Sequence, residues 1–137
     1  MKGRVYVAGT GVISAIGNSI PETLKSFENH SSGIGKVSLF DTIYKDTLPV
    51  GEVKIQNTQL ADNLSLNSNI SRTALLGIQA AREAVAASRV NVSKWRTGLI
   101  SATTVGGMDK TENFFVDFLK NPSKGRLRNV VHHECGS

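Results

Sequence analysis

The passage Arg4-Val5-Tyr6-Val7-Ala8, followed at once by Gly9-Thr10-Gly11, constrains this chain more than any other. A β-prone run without polar alternation reads as a strand covered on both faces, which is the habit of a central strand in a parallel sheet. Two glycines one residue apart then suit backbone conformation and close packing, because neither carries a side chain. Such a strand needs helices on both sides of its sheet, together with further strands of the same kind.

The rest of the chain supplies candidates for both. Ser19, Pro21 and Glu22 predict a helix start, with a serine cap, proline in the first turn and an acid near the positive end of the dipole. Leu24 and Phe27 would face the core, and His30-Ser31-Ser32-Gly33 would stop the helix. Gly33-Ile34-Gly35 leads into Val37 to Phe40, a short extended piece closed by Asp41, and Leu48 to Ile55, with Pro49 near its start, reads as an edge strand. From Asn57 to Asn69 the Asn, Asp, Ser and Gln content predicts a connecting loop.

Ser71 then caps the strongest helix, Arg72 to about Ser88, in which Ala74, Ile78, Ala81 and Val85 share one face. Thr97 to Thr104 predicts a second central strand ended by Gly106-Gly107. Met108 to Leu119 follows as a helix with Phe115, Phe118 and Leu119 inward, terminated by Asn121-Pro122. This order predicts an α/β fold with a mostly parallel central sheet and flanking helices. It is incomplete at its C-terminal end, because no closing element follows Pro122.

Composition narrows the function classes. At 137 residues the chain is one domain in size, and its net charge of +5 favours acidic partners without naming one. The single cysteine, Cys135, excludes an internal disulfide, and with no secretion signal or spanning helix the expectation is a cytoplasmic protein without a membrane partner. Lys124, Arg126 and Arg128 form a basic stretch without interleaved aromatics, so nucleic acid is not expected. His132, His133 and Cys135 are too close in sequence to reach one ion with good geometry, and neither a metal nor a cofactor is expected.

Gly9-Thr10-Gly11-Val12-Ile13-Ser14 also resembles a dinucleotide-binding fingerprint, with Asp41 as the ribose-binding acid. The third glycine is Ser14, however, and the helix signals come several residues too late for a pyrophosphate at the helix N-terminus. Asp41 lies 30 residues beyond Gly11, against about 20 for the fingerprint.

Read over a longer stretch, residues 4–18, the short helix and Ser31-Ser32-Gly33-Ile34 resemble the opening of a beta-ketoacyl-acyl carrier protein synthase. The Arg82-Glu83-Ala84 helix, the Thr97-Gly98 strand and Val105-Gly106-Gly107-Met108 follow in that family's order. The resemblance implies a thiolase-like fold and condensation of a cysteine-bound acyl chain with the carbanion from malonyl-carrier, in fatty-acid or polyketide-type biosynthesis. That chemistry needs a thiolate at a helix N-terminus, an oxyanion hole and two histidines. The family's nucleophile stands in an Ala-Cys-Ser type turn well beyond the Gly-Gly pair, whereas Cys135 is 28 residues after Gly107 in Glu134-Cys135-Gly136-Ser137. Neither Cys135 nor His132 and His133 inherits a catalytic role.

The resemblance thus implies that residues 1–137 are the N-terminal part of a synthase N-terminal domain, truncated before the nucleophile and inactive alone. Val105 and Met108 are its acyl-pocket candidates, while Gly9, Gly11, Gly106 and Gly107 serve backbone and packing. An acyl carrier protein would be the partner of the full-length enzyme, but Asn67-Ser68-Asn69 stands where basic docking residues are usual, with Arg72 the nearest charge. The competing readings are a non-catalytic synthase-like partner subunit and a dinucleotide-binding domain. Uncovered strands at Val5 to Ala8 and Leu99 to Ala102 predict homo- or hetero-oligomers, low solubility or a molten state.

Overall fold

A computed structural model describes residues 3–67 and 69–123. Four helices and one small sheet follow in the order α1 (Ile20–Glu28), β1 (Ile34–Gly35), β2 (Val50–Gly51), α2 (Asn57–Leu64), α3 (Arg72–Ser88) and α4 (Met108–Lys120). The fold is mixed α and β. The expected mostly parallel central sheet is not formed among the described residues: β1 and β2 pair antiparallel, with Ile34 opposite Gly51 and Gly35 opposite Val50. Residues 4–8 and 97–103 carry no ladder. Val5 is 97% exposed and Ile100 99%, so among the described residues no strand or helix covers either side chain.

The helix signals are realised where capping chemistry fixes them. The Ser19 hydroxyl accepts from the Glu22 amide at 3.4 Å, Pro21 occupies the first turn, and Asn29 closes α1. Ser71 caps α3 in the same way, accepting from the Ala74 amide, and Arg89 ends that helix in the left-handed region at φ 55°. The α4 helix begins after Gly106 (φ 53°) and Gly107 and ends at Asn121.

The predicted loop at 57–69 is in its first part the helix α2, whose Leu60, Ala61 and Leu64 are buried. Its polar composition masked an i, i+1, i+4 apolar stripe. The Gln59 side chain accepts from the Gln56 amide at 3.3 Å to help start the helix, and the Leu66 amide donates to the Ala61 carbonyl at 2.8 Å to stop it.

This stripe packs on Leu75 of α3, which is fully buried, with Ile13, Ile55, Leu66, Ile70 and Leu76 around it. The core therefore lies between α2 and α3. The predicted α3 face is displaced: Ile78, Ala81 and Val85 are exposed and Leu75 faces inward instead. Leu24 and Phe27 on α1, and Phe115, Phe118 and Leu119 on α4, are likewise exposed rather than inward. The α4 rings pack on one another, Phe118 lying 5.9 Å from Phe114 and 6.4 Å from Phe115, centroid to centroid. No helix among the described residues is long and apolar enough to cross a membrane.

Candidate functional site

The Gly9-Thr10-Gly11 segment lies flat on one side of α3. A Cβ on Gly9 would collide with the Ala84 carbonyl and come 2.7 Å from the Ser88 amide, and one on Gly11 would overlap the Ala80 carbonyl. The glycines are required here by backbone-to-backbone approach, and alanines at 80 and 84 keep the facing helix surface low enough to permit it.

Between those alanines stands Glu83, whose carboxylate reaches across from the helix. Oε2 accepts the Val12 amide at 2.9 Å and Oε1 accepts the Ile20 amide at 2.7 Å. One half-buried side chain thus holds the loop after the glycines and the first turn of α1 together. Two neutral N–H donors on one carboxylate form charge-assisted bonds, and a shorter or neutral side chain could not serve both as well. Within the loop, the Ser14 amide donates to the Gly17 carbonyl at 2.8 Å and the Ser26 hydroxyl to the Ile16 carbonyl at 2.6 Å.

This arrangement argues against the dinucleotide reading. A pyrophosphate needs free amides at a helix N-terminus. Here the Ile20 amide is taken by Glu83, the Glu22 amide by Ser19, and Pro21 has none. The glycines face α3 backbone, so their close approach is spent on the protein itself.

The second glycine pair borders an open groove of about 500 Å³ between α3 and residues 99–103, walled by Ala74, Gly77, Ile78 and Ala81 on one side and Leu99 and Ile100 on the other. Gly106 and Gly107 also line it. Both the Val105 and Gly106 amides donate to the Thr103 hydroxyl at 3.3 Å, which shapes the turn into α4. The acyl-pocket candidates Val105 and Met108 are half exposed, at 50% and 54%, and neither is among the groove's lining residues.

A third arrangement was not foreseen from the sequence. Glu52, just after β2, accepts from the Lys54 ammonium at 2.8 Å, the Ser38 hydroxyl at 2.6 Å and the Leu39 amide at 2.9 Å. The Lys54 bond, then the Ser38 bond, hold its carboxyl well below the ordinary value near 4.5, at about 2.

Arg72, which the sequence offered as the charge nearest to a carrier-docking position, is engaged inward. Its guanidinium donates to the Val53 carbonyl at 2.7 Å, the Ile55 carbonyl at 3.1 Å and the Asn57 side chain at 2.6 Å, and its amide donates to Asp109 at 3.1 Å. It splices the end of the sheet to α2 and α4. Asp41 is exposed and no hydrogen bond ties it to the glycine segment. Lys124, Arg126, Arg128, His132, His133 and Cys135 lie outside the described residues. Among the described residues no three His, Cys, Asp or Glu side chains converge on a common point.

Neither Glu83 nor Glu52 was singled out from sequence as an anchor. For Glu83 a signal existed: a lone acid between Ala80 and Ala84 on a helix is flanked by residues small enough to mark a close contact. For Glu52 there was only its neighbour Lys54, which says nothing of the partners that come from β1's side of the sheet.

Comparison with characterised proteins finds similarity to 3-oxoacyl-[acyl-carrier-protein] synthase 2 of Staphylococcus aureus strain COL, and to the protein of the same name from strain MW2. Each is 29% identical over 114 residues, which is 80% of this chain and 27% of the relative. The relation is distant and partial, and the chain spans about a quarter of the length of these relatives. No family model matches the chain.

Proposed function

We propose that residues 1–137 form the N-terminal part of a 3-oxoacyl-[acyl-carrier-protein] synthase-like domain, supplying framework and not the reacting groups of a condensing enzyme. The observation that carries this reading is the joint placement of the segments shared with the relatives. The first glycine pair, the Glu83 contacts and the second glycine pair all meet along the alanine-rich helix α3, in a chain that aligns with the relatives over 114 residues.

In this reading residues 4–8 and 97–104 are central strands of a mostly parallel, thiolase-like sheet whose further strands come from chain beyond residue 137. Their exposed Val5, Val7, Leu99 and Ile100 are surfaces awaiting those partners. Val105 and Met108 take their place at an acyl pocket only in that larger unit. The acyl thioester, the malonyl-carrier and the carrier protein itself belong to the whole synthase. A docking site just before α3 has little support, because Arg72 is committed to backbone carbonyls.

The same exposed apolar runs favour a second reading, in which the chain pairs with a separate synthase subunit and stays non-catalytic. The two share one prediction: residues 1–137 form no carbon–carbon bond from acyl-carrier and malonyl-carrier, as Cys135 lacks the family's nucleophile setting. Product formation by the purified chain, followed by mass spectrometry of the carrier-bound acid, would overturn both. Light scattering separates them. A discrete complex with a co-purified synthase subunit supports the partner reading, and its absence, with a longer native chain, supports the first.

A further inference from the structure

The turn that follows α3 is built differently from the apolar runs on either side of it. Arg89 leaves the helix at φ 55° and a 3-10 turn, Val92–Lys94, comes next. Its backbone is pinned: the Asn91 side chain accepts from the Ser93 amide at 3.1 Å, and the Thr97 hydroxyl bonds the carbonyls of Val92 at 3.0 Å and Trp95 at 3.2 Å. The side chains it displays are free. Arg89, Lys94 and Arg96 are exposed and make no ion pair or hydrogen bond through their side chains with any described residue. Trp95 between them is 73% exposed, with Val90 at 43% and Val92 at 37%. No Asp or Glu occurs between Glu83 and Asp109 to balance the three cations.

These charges separate the turn from the uncovered face at Val5, Val7, Leu99 and Ile100. That face can be buried by more protein, whereas three unpaired cations are too costly to bury. Among the described residues, positions 89–96 are on the outside, with no acid of the neighbouring sequence to pair with their cations. An outer knuckle in which cations flank a tryptophan and two valines matches an anionic bilayer interface. The cations meet headgroup phosphates, the indole sits at headgroup level, and the valines reach the acyl boundary. A nucleic acid would use the ring for one base and leave the valines without benefit. The lack of a spanning helix has no bearing on such a surface contact.

We propose that residues 89–96 are a peripheral contact site for anionic phospholipid. Each cation near such a surface favours binding about fivefold, so the three together favour anionic over neutral lipid by roughly a hundredfold at low salt. Trp95 is the only tryptophan and reports on the site directly.

The test titrates the chain with large unilamellar vesicles of phosphatidylcholine alone and of phosphatidylcholine with phosphatidylglycerol in equal parts. Tryptophan emission, and its quenching by brominated lipid, are followed. A blue shift and quenching with the anionic vesicles only, reversed at about 0.5 M salt, is the expected result. Lys94→Gln with Arg96→Gln, at unchanged helical circular dichroism, lowers the partition about 25-fold. Equal partition onto neutral vesicles, binding without quenching of Trp95, or an unaffected double variant overturns the proposal in favour of the apolar runs as the binding surface. A larger emission change with polyglutamate or with polyuridylate overturns it in favour of an acidic protein or a nucleic acid. If the double variant fails to fold, the salt reversal and quenching of the unmodified chain still decide.

Discussion

Replacing Glu83 should loosen the glycine segment from α3 in a graded way. Glu83→Ala removes the acceptor of two amides, Val12 at 2.9 Å and Ile20 at 2.7 Å, both half-buried. A hydrogen bond to a charged group contributes about 1.5–3 kcal/mol, which for two bonds gives an upper range of about 3–6 kcal/mol. The site is only partly covered, so water can reach each freed donor. That brings the expected loss to about 2–4 kcal/mol.

Glu83→Gln keeps one carbonyl oxygen and turns an NH₂ toward the other amide, so it should lose about half as much. The direct assay is hydrogen exchange at the two amides with urea unfolding followed by helical circular dichroism. Both amides should lose protection together in Glu83→Ala and only one in Glu83→Gln, while exchange at the Leu75 amide, about two turns away toward the start of α3, changes by no more than the global loss. Unchanged protection at Val12 and Ile20 in Glu83→Ala would refute the clasp.

Three further expectations follow from the same packing. Gly11→Ala places a methyl into the Ala80 carbonyl and should cost about 1–3 kcal/mol by forcing the segment off α3. Gly77→Ala, with nothing within 4 Å of its Cβ, should stabilise the helix by up to about 1 kcal/mol; equal effects of the two in thermal melts would contradict the close approach. Leu75→Ala, at a fully buried site, should cost about 2–5 kcal/mol in urea titrations, whereas Leu99→Ala, 85% exposed, should stay within about 0.5 kcal/mol. Glu52 ionises at about 2 in the folded chain against 4.5 ordinarily, so its contribution is complete above pH 4.5 and fades as pH falls toward 2. Glu52→Gln should flatten that part of the stability profile, and an unchanged profile would show that Lys54 and Ser38 do not hold the carboxylate.

What the sequence revealed was local chemistry. Ser19 and Ser71 as caps, Pro21 in the first turn and Asn121 as a stop are decided within one helical turn, and the structure realises each of them. Faces are decided by partners, and there the reading erred. Ile78, Ala81 and Val85 form a regular apolar stripe, but Ile78 and Ala81 border the groove beside Leu99 and Ile100 and Val85 is exposed, while Leu75 meets α2. The missed helix α2 has the reverse cause. Its Asn and Gln favour loops by composition, but burial of Leu60, Ala61 and Leu64 outweighs that local preference. The surface that Gly9 and Gly11 approach, Ala80 and Ala84, lies about seventy residues away and left no local trace. The carboxylate clasp was hidden for the same reason, since its two partners are 71 and 63 residues distant in the chain.

The central claim is that these residues are the first part of a larger synthase-like unit. It is tested most directly by reading the coding sequence beyond codon 137 and weighing the native polypeptide that carries residues 1–137. The account predicts an Ala-Cys-Ser type turn downstream, in a native chain well above 14.7 kDa. A native product of 14.7 kDa, with no such turn encoded after it, would contradict that claim.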